Sequence, residues 1–309
     1  MIHVIDVGYV RFRAPDLDRM EAFLTDFGLV RSARTEDALY MRGTDGLHHV
    51  HVTERGEPAF LGVGLLAASR SDLDAIARAP GAGPVEDVDE PGGGRRVRLR
   101  DPNGIAVEVV HGVKELDPLP LPERRPFNTG SERARLGQTQ AVAGGPAHVK
   151  RLGHFVLLVR DFRETEAFYH RHFGFRNSDE IYLGEREQVV AAFMRCDRGP
   201  QYVDHHSFLA VGAGRVELNH VSFEVHDMDD LMAGHEHLAA RGYAHHWGVG
   251  RHVLGSQIYD YWRDPWGHVH EHMTDGDLFN AQTETGAVAA GGPGPVSHWG
   301  PPAPSPFGA

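Results

Sequence analysis

Short runs that alternate apolar and polar residues give way to stretches whose apolar residues recur every three or four positions, and this change of period happens four times along the chain. Period two marks a half-buried strand, and a period near 3.6 marks an amphipathic helix. The first helical stretch, Asp16 to Gly28, puts Leu17, Met20, Phe23, Leu24 and Phe27 on one face. Pro15-Asp16 and Gly28 bound it with residues suited to a helix start and stop. The same spacing predicts helices over Ser71 to Ala79, Arg163 to Gly174 and Met228 to Gly242. Runs such as HFVLLV, VVAAFMRC, HHSFLAV and HVSFEV are rich in β-branched and aromatic residues and read as strands. The predicted order is β-α-β-β-β, four times over, in an α+β fold.

The four modules fall into two similar halves. Val4 to Val30 aligns with Val149 to Phe175 through an alternating run, an acidic break, a shared Glu-Ala-Phe and a Phe-Gly stop. Val97 to Gly112 aligns with Tyr259 to Gly276 through Arg-Asp-Pro-x-Gly and a later glutamate. Asp101-Pro-Asn-Gly104 and Asp264-Pro-Trp-Gly267 read as tight turns that set the register of each last strand. The expected organisation is a module pair over residues 1–112, a proline-containing linker over 113–149, a second pair over 150–280 and a Gly/Pro-rich tail over 281–309. That tail cannot form a core of its own, but Trp299 and Phe307 suggest that it is laid on a surface. Gly92 to Gly94 lacks the Lys-Ser/Thr of a phosphate cradle and reads as a hairpin loop.

Composition narrows the function. With 31 Lys+Arg against 43 Asp+Glu and no basic stripe, the chain does not look like a nucleic-acid binder. No apolar run reaches the roughly 18 residues of a membrane span, so no membrane partner is expected. The single cysteine, Cys196, cannot pair within the chain, and the opening lacks the pattern of a secretory leader. A cytoplasmic protein is the expectation, with Cys196 a small buried apolar residue. The unusual figure is 22 histidines, which directs attention to metal and acid/base chemistry.

Comparing the halves shows which of those histidines stand out. On the first strand of each half Tyr9 corresponds to His154, on the first strand of the second module Gly62 corresponds to His220, and on the last strand Glu108 corresponds to Glu271. Taken alone, a strand histidine is more often structural than a ligand, whereas a carboxylate in a half-buried apolar strand needs a partner charge or a metal. Together, two imidazoles and a carboxylate on three strands form the facial set that holds non-haem Fe(II) with open coordination positions.

At this point the residues resemble the type I extradiol ring-cleavage dioxygenases of the vicinal oxygen chelate superfamily, the catechol 2,3-dioxygenase and dihydroxybiphenyl dioxygenase group. The resemblance covers residues 3–278. Its most specific piece is Gly250-Arg-His252 followed by Tyr261-Trp-Arg-Asp264-Pro-Trp-Gly267-His-Val-His-Glu271. The chain departs from that signature at Asp260, where the family usually carries an apolar residue. The resemblance implies two glyoxalase-like domains of paired βαβββ modules, with Fe(II), or Mn(II) in its place, on His154, His220 and Glu271 of the second. It also implies an acid/base histidine at His206, with His205 as the alternative and otherwise a substrate-binding residue. His252 and Tyr261 would be the catalytic hydrogen-bonding groups, although by periodicity alone Tyr261 reads equally well as a buried structural tyrosine. The implied reaction is cleavage of a catecholic ring beside its diol by O2, giving a hydroxymuconic-semialdehyde-type product, in a homo-oligomer. Its rivals are a glyoxalase-like metal-dependent isomerase, a keto-acid dioxygenase, and a non-enzymatic ligand-sequestering protein on the same scaffold.

Overall fold

The computed structural model describes residues 1–123, 125–290 and 296–304. The first module runs β1 (Val4–Ala14), α1 (Leu17–Asp26), β2 (Val30–Arg34), β3 (Ala38–Arg42) and β4 (His51–Arg55). The second is β5 (Ala59–Ala67), α2 (Arg70–Ile76), β6 (Glu86–Asp87), β7 (Arg95–Arg100) and β8 (Ala106–His111). The third is β9 (Val149–Val159), α3 (Phe162–Phe173), β10 (Arg176–Tyr182), β11 (Val189–Arg195), a short β12 (Val203–Asp204) and β13 (Phe208–Gly212). The fourth is β14 (Glu217–Val225), α4 (Met228–Ala240), β15 (Ala244–His252), β16 (Ile258–Arg263) and β17 (Val269–Thr274). Beyond it lie β18 (Leu278–Phe279), β19 (Gly286–Ala289) and β20 (Ser297–Trp299). The expected four-fold β-α-β-β-β order is therefore present, with one two-residue strand inserted in the third module. Gly92 to Gly94 fall in the turn between β6 and β7, as a hairpin loop should.

Each helix begins on a side chain that accepts a backbone N–H left unpaired in the first turn. Asp16 accepts from Arg19, Asp161 from Glu164 and Asp227 from Asp230. The second helix differs from expectation, running Arg70–Ile76 and not Ser71 to Ala79. Ser69 and Asp72 close a reciprocal capping box that fixes its start earlier, and the chain turns out of the helix after Ile76. Gly174 closes α3 in the left-handed conformation, φ 70°. Apolar helix faces pack on one side of each sheet, where Phe12, Phe23, Phe27, Phe155, Tyr169, Phe173 and Phe208 are fully buried.

An eight-stranded sheet, ordered β2-β3-β4-β1-β5-β8-β7-β6, holds the first two modules. A ten-stranded sheet, ordered β19-β10-β11-β13-β9-β14-β17-β16-β15-β20, holds the other two and takes its edge strands from the tail. Ala290 is bonded to Tyr182 on one edge and Val296 to Val253 beside the other. Trp299 lies on β20, while Phe307 falls outside the described residues. Ending the chain after Asn280 would expose the unpaired edges of β10 and β15, so the truncated protein is expected to melt several degrees lower and to aggregate more readily. Thermal unfolding with light scattering checks this.

The two sheets meet through buried imidazoles. His51 of β4 and His270 of β17 approach at 3.3 Å between Nε2 atoms, and His272 Nε2 lies 2.6 Å from the Phe27 carbonyl. Burial drives the His51 and His270 imidazoles toward the neutral form, His270 to about 4. Among the described residues no helix is long and apolar enough to cross a membrane.

Candidate metal centre

The site is a consequence of strand register. Asp264 Oδ1 accepts the backbone N–H of Trp266 at 2.8 Å and of His268 at 3.0 Å, which closes the β16–β17 turn and puts Tyr261 opposite Glu271. Parallel pairing of β17 with β14 aligns Glu271 with Ser222, and antiparallel pairing of β14 with β9 aligns Ser222 with His154. Directly paired residues share a face of the sheet, and so does His220, two positions along β14 from Ser222. A register shift between Leu218 and His220 lies immediately before it, the kind of irregularity that re-aims a side chain.

These pairings converge three ligand atoms. His154 Nε2 lies 3.2 Å from His220 Nε2 and 3.2 Å from Glu271 Oε2, and His220 Nε2 lies 3.4 Å from that same oxygen. With metal–donor bonds near 2.1 Å, adjacent donors stand about 3.0 Å apart in octahedral and about 3.4 Å apart in tetrahedral coordination, so the triangle is of the right size. All three residues are buried, Glu271 completely. Neither Glu271 oxygen has a hydrogen-bond partner of good geometry, nor has His154 Nδ1. Burial by itself would raise the Glu271 carboxyl, but His154, His252 and His220 beside it hold it well below the usual carboxylate range. His220 is pushed down to about 3, chiefly by burial. Two imidazole nitrogens and a buried carboxylate aimed at one point fit a divalent cation. Asn219 Oδ1 lies 2.7 Å from His220 Nδ1, an arrangement in which Nδ1–H donates and Nε2 turns its lone pair to the centre.

His206 is buried beside the triangle, its ring centroid 4.1 Å from that of His154. Desolvation, with His154 and His205 adding to it, keeps its pKa well below the ordinary imidazole value. His205 stands behind it. Its Nδ1 meets His206 Nδ1 at 3.0 Å, and its Nε2 meets Asp179 Oδ2 at 2.6 Å. Both nitrogens of His205 are thus engaged within the protein. On the other flank His252 Nε2 is 2.9 Å from the Tyr261 hydroxyl and 3.7 Å from Glu271 Oε1. Burial and the Glu271 charge raise the Tyr261 phenol well above its ordinary value, so it stays a donor. Cys196 is buried with its thiol raised by desolvation, 3.6 Å from Ser207 Oγ, as a small core residue should be.

The N-terminal copy of the site is closed by its own side chains. The Tyr9 hydroxyl donates to Glu108 Oε2 at 2.5 Å, and Arg11 Nε donates to the same oxygen at 2.9 Å. Arg96 and Arg98 approach Oε1 at 3.4 and 3.3 Å. Guanidinium charge stands where the second copy lacks a counter-charge. A side chain at Gly62 is also blocked, since its Cβ would lie 2.0 Å from the Ala106 carbonyl oxygen. Glu108→Gln is accordingly expected to leave bound metal unchanged while costing about 2 kcal/mol of stability, because Arg11 loses a buried partner. Metal analysis beside a denaturant melt reads both.

One residue beside the site, Asp179, escapes a reading of the chain because it carries no motif. The pairing of His205 with His206 had a legible signal, because the first half holds the same dipeptide, His48-His49, also with Nδ1 atoms 3.0 Å apart.

Known proteins resemble this chain in sequence and in fold. The Glyoxalase/Bleomycin resistance protein/Dioxygenase superfamily model matches residues 151–271. Metapyrocatechase 2 of Cupriavidus necator is 30% identical over 99% of this chain and 91% of its own. Biphenyl-2,3-diol 1,2-dioxygenase of Sphingomonas paucimobilis is 28% identical over 88% of each. The Mn(II)-bound glyoxalase of Novosphingobium aromaticivorans superposes with a TM-score of 0.79 at 25% identity, covering 98% of this chain and 94% of that one. The substrate complex of homoprotocatechuate 2,3-dioxygenase from Brevibacterium fuscum also gives 0.79, at 21% identity over 98% and 91%. With identity sustained over nearly the whole of both chains, this protein belongs to the extradiol ring-cleaving dioxygenases of the glyoxalase, or vicinal oxygen chelate, superfamily.

Proposed function

We propose that the chain opens the ring of a catecholic compound beside its diol, with O2 as co-substrate, at a single Fe(II) held by His154 Nε2, His220 Nε2 and Glu271. The observation that carries this reading is the 3.2 to 3.4 Å triangle of buried donors closed by a completely buried carboxylate. Both atoms of O2 end in the product, so the reaction balances without a further reductant. The metal, when bound, supplies the Lewis acidity and the oxygen chemistry, and the remaining coordination positions are left to the substrate pair. Two imidazoles and a carboxylate do not by themselves select Fe(II) over Mn(II). We assign Fe(II), and loading with each metal in turn tests that choice against Mn(II).

The protein's own residues handle protons and orientation. A catechol must shed protons to chelate, and ring opening must return one. Burial leaves His206 neutral and able to accept, and with Nδ1 turned to His205 its Nε2 is the nitrogen for transfer. Asp179 and His205 form a chain behind it that fixes its ring. We therefore read His205 as a positioning residue and not a substrate contact. Tyr261, kept protonated and backed by His252, offers a hydroxyl donor toward the diol oxygens. Residues 1–112 serve as a metal-free partner in this reading, because Glu108 is already paired with Arg11 and Arg96.

The test is anaerobic loading with Fe(II) or Mn(II), then admission of O2 with catechol, alkylcatechols or dihydroxybiphenyl. A yellow ring-opened product formed only by metal-loaded protein is expected. Ligand binding without turnover, equal in metal-free and loaded protein, would point instead to a sequestering protein.

A further inference from the structure

Asp260 is the one position at which the chain leaves its family signature, and the metal centre makes no use of it. Successive side chains on a strand point to opposite faces. Tyr259 and Tyr261 therefore face one side of β16, while Asp260 and Trp262 face α4. Asp260 is fully buried, yet both its oxygens are turned to imidazoles nearer the surface. His235 Nδ1 on α4 lies 3.0 Å from Oδ2, and His245 Nε2 on β15 lies 2.8 Å from Oδ1. Trp262 Nε1 donates to Oδ2 at 2.5 Å from within the core.

We propose that His235, His245 and Asp260 form a second metal site, separate from the first, that takes a divalent transition metal of the zinc type. One donor atom from each residue lies within 4.8 Å of the others, which leaves room for one ion after small side-chain rotations. Two imidazoles and one carboxylate are a zinc donor set, with water completing the coordination. The His235 and His245 side chains are 27% and 34% exposed, so an ion reaches the site from solvent without opening the fold. The N-terminal copy offers no such donors. Counted from the Asp-Pro-x-Gly turns, Val97 stands in place of Asp260, and counted from the helix caps, Ala77 stands in place of His235. A bound ion would tie α4 to β15 and β16, the strands that carry His252 and Tyr261.

The competing account is a hydrogen-bonded trio that holds no ion. Equilibrium dialysis of the iron-loaded protein against micromolar Zn(II), with both metals counted per chain, separates the two. The expected result is retained iron plus about one zinc per chain, with zinc affinity falling at least tenfold in His245→Ala and in Asp260→Asn while iron and ring cleavage stay at wild-type levels. His154→Ala should lose iron and keep zinc. His245 is partly exposed, so that variant remains informative even where Asp260→Asn folds poorly. No zinc taken up beside the iron, zinc bound equally well by wild type and His245→Ala, or zinc and iron lost together in His245→Ala would each overturn the proposal.

Discussion

Glu271→Gln is expected to abolish metal binding and ring cleavage together. The carboxylate is the one anionic donor of the set, and it is completely buried. Glutamine keeps the shape and removes the charge that a divalent cation would meet. A ligand present at 100 times its dissociation constant stabilises the wild-type fold by roughly 2.7 kcal/mol and the variant not at all. Melts with and without Fe(II), beside metal analysis, read this difference. A variant that kept stoichiometric iron, or that iron stabilised as much as wild type, would contradict the assignment of Glu271.

The second large effect is on turnover. His206→Phe removes the proton-transfer group but leaves His154, His220 and Glu271 in place, so iron content and catechol affinity should persist while kcat falls by roughly 10²-fold or more. His205→Phe is expected to cost less, about tenfold, because it loosens the His206 ring without removing it. Its loss should appear with Asp179→Asn as well, since Asp179 Oδ2 is the group that holds His205 Nε2. Full activity in His206→Phe with an inactive His205→Phe would move the proton-transfer role to His205.

Much of this architecture is legible in the chain because it is a duplication. The Asp-Pro-x-Gly turns fix the register of β7 with β8 and of β16 with β17, so comparing halves places Glu108 and Glu271 on equivalent positions before any coordinates are known. The same comparison singles out His154 and His220. What periodicity could not supply is the environment of each group. Nothing in the first half reveals that Tyr9 and Arg11 converge on Glu108, because they lie on a different strand nearly 100 residues away. Asp179 escaped for the same reason, meeting His205 only through pairing of β10 with β11 and of β11 with β13. The tail was legible as a segment without a core, but its strands β19 and β20 exist only because two sheet edges were open to receive them. The start of α2 at Arg70, one residue before the predicted Ser71, is set by the reciprocal bonds between Ser69 and Asp72, which the apolar period does not register.

The most direct test of the central claim is mass analysis of the product formed by Fe(II)-loaded protein from a catechol under isotopically heavy O2 in ordinary water. The account predicts a ring-opened product heavier than the substrate by one molecule of heavy dioxygen, formed by wild type and absent with Glu271→Gln. A product of unchanged mass, or oxygen drawn from the solvent alone, would contradict it.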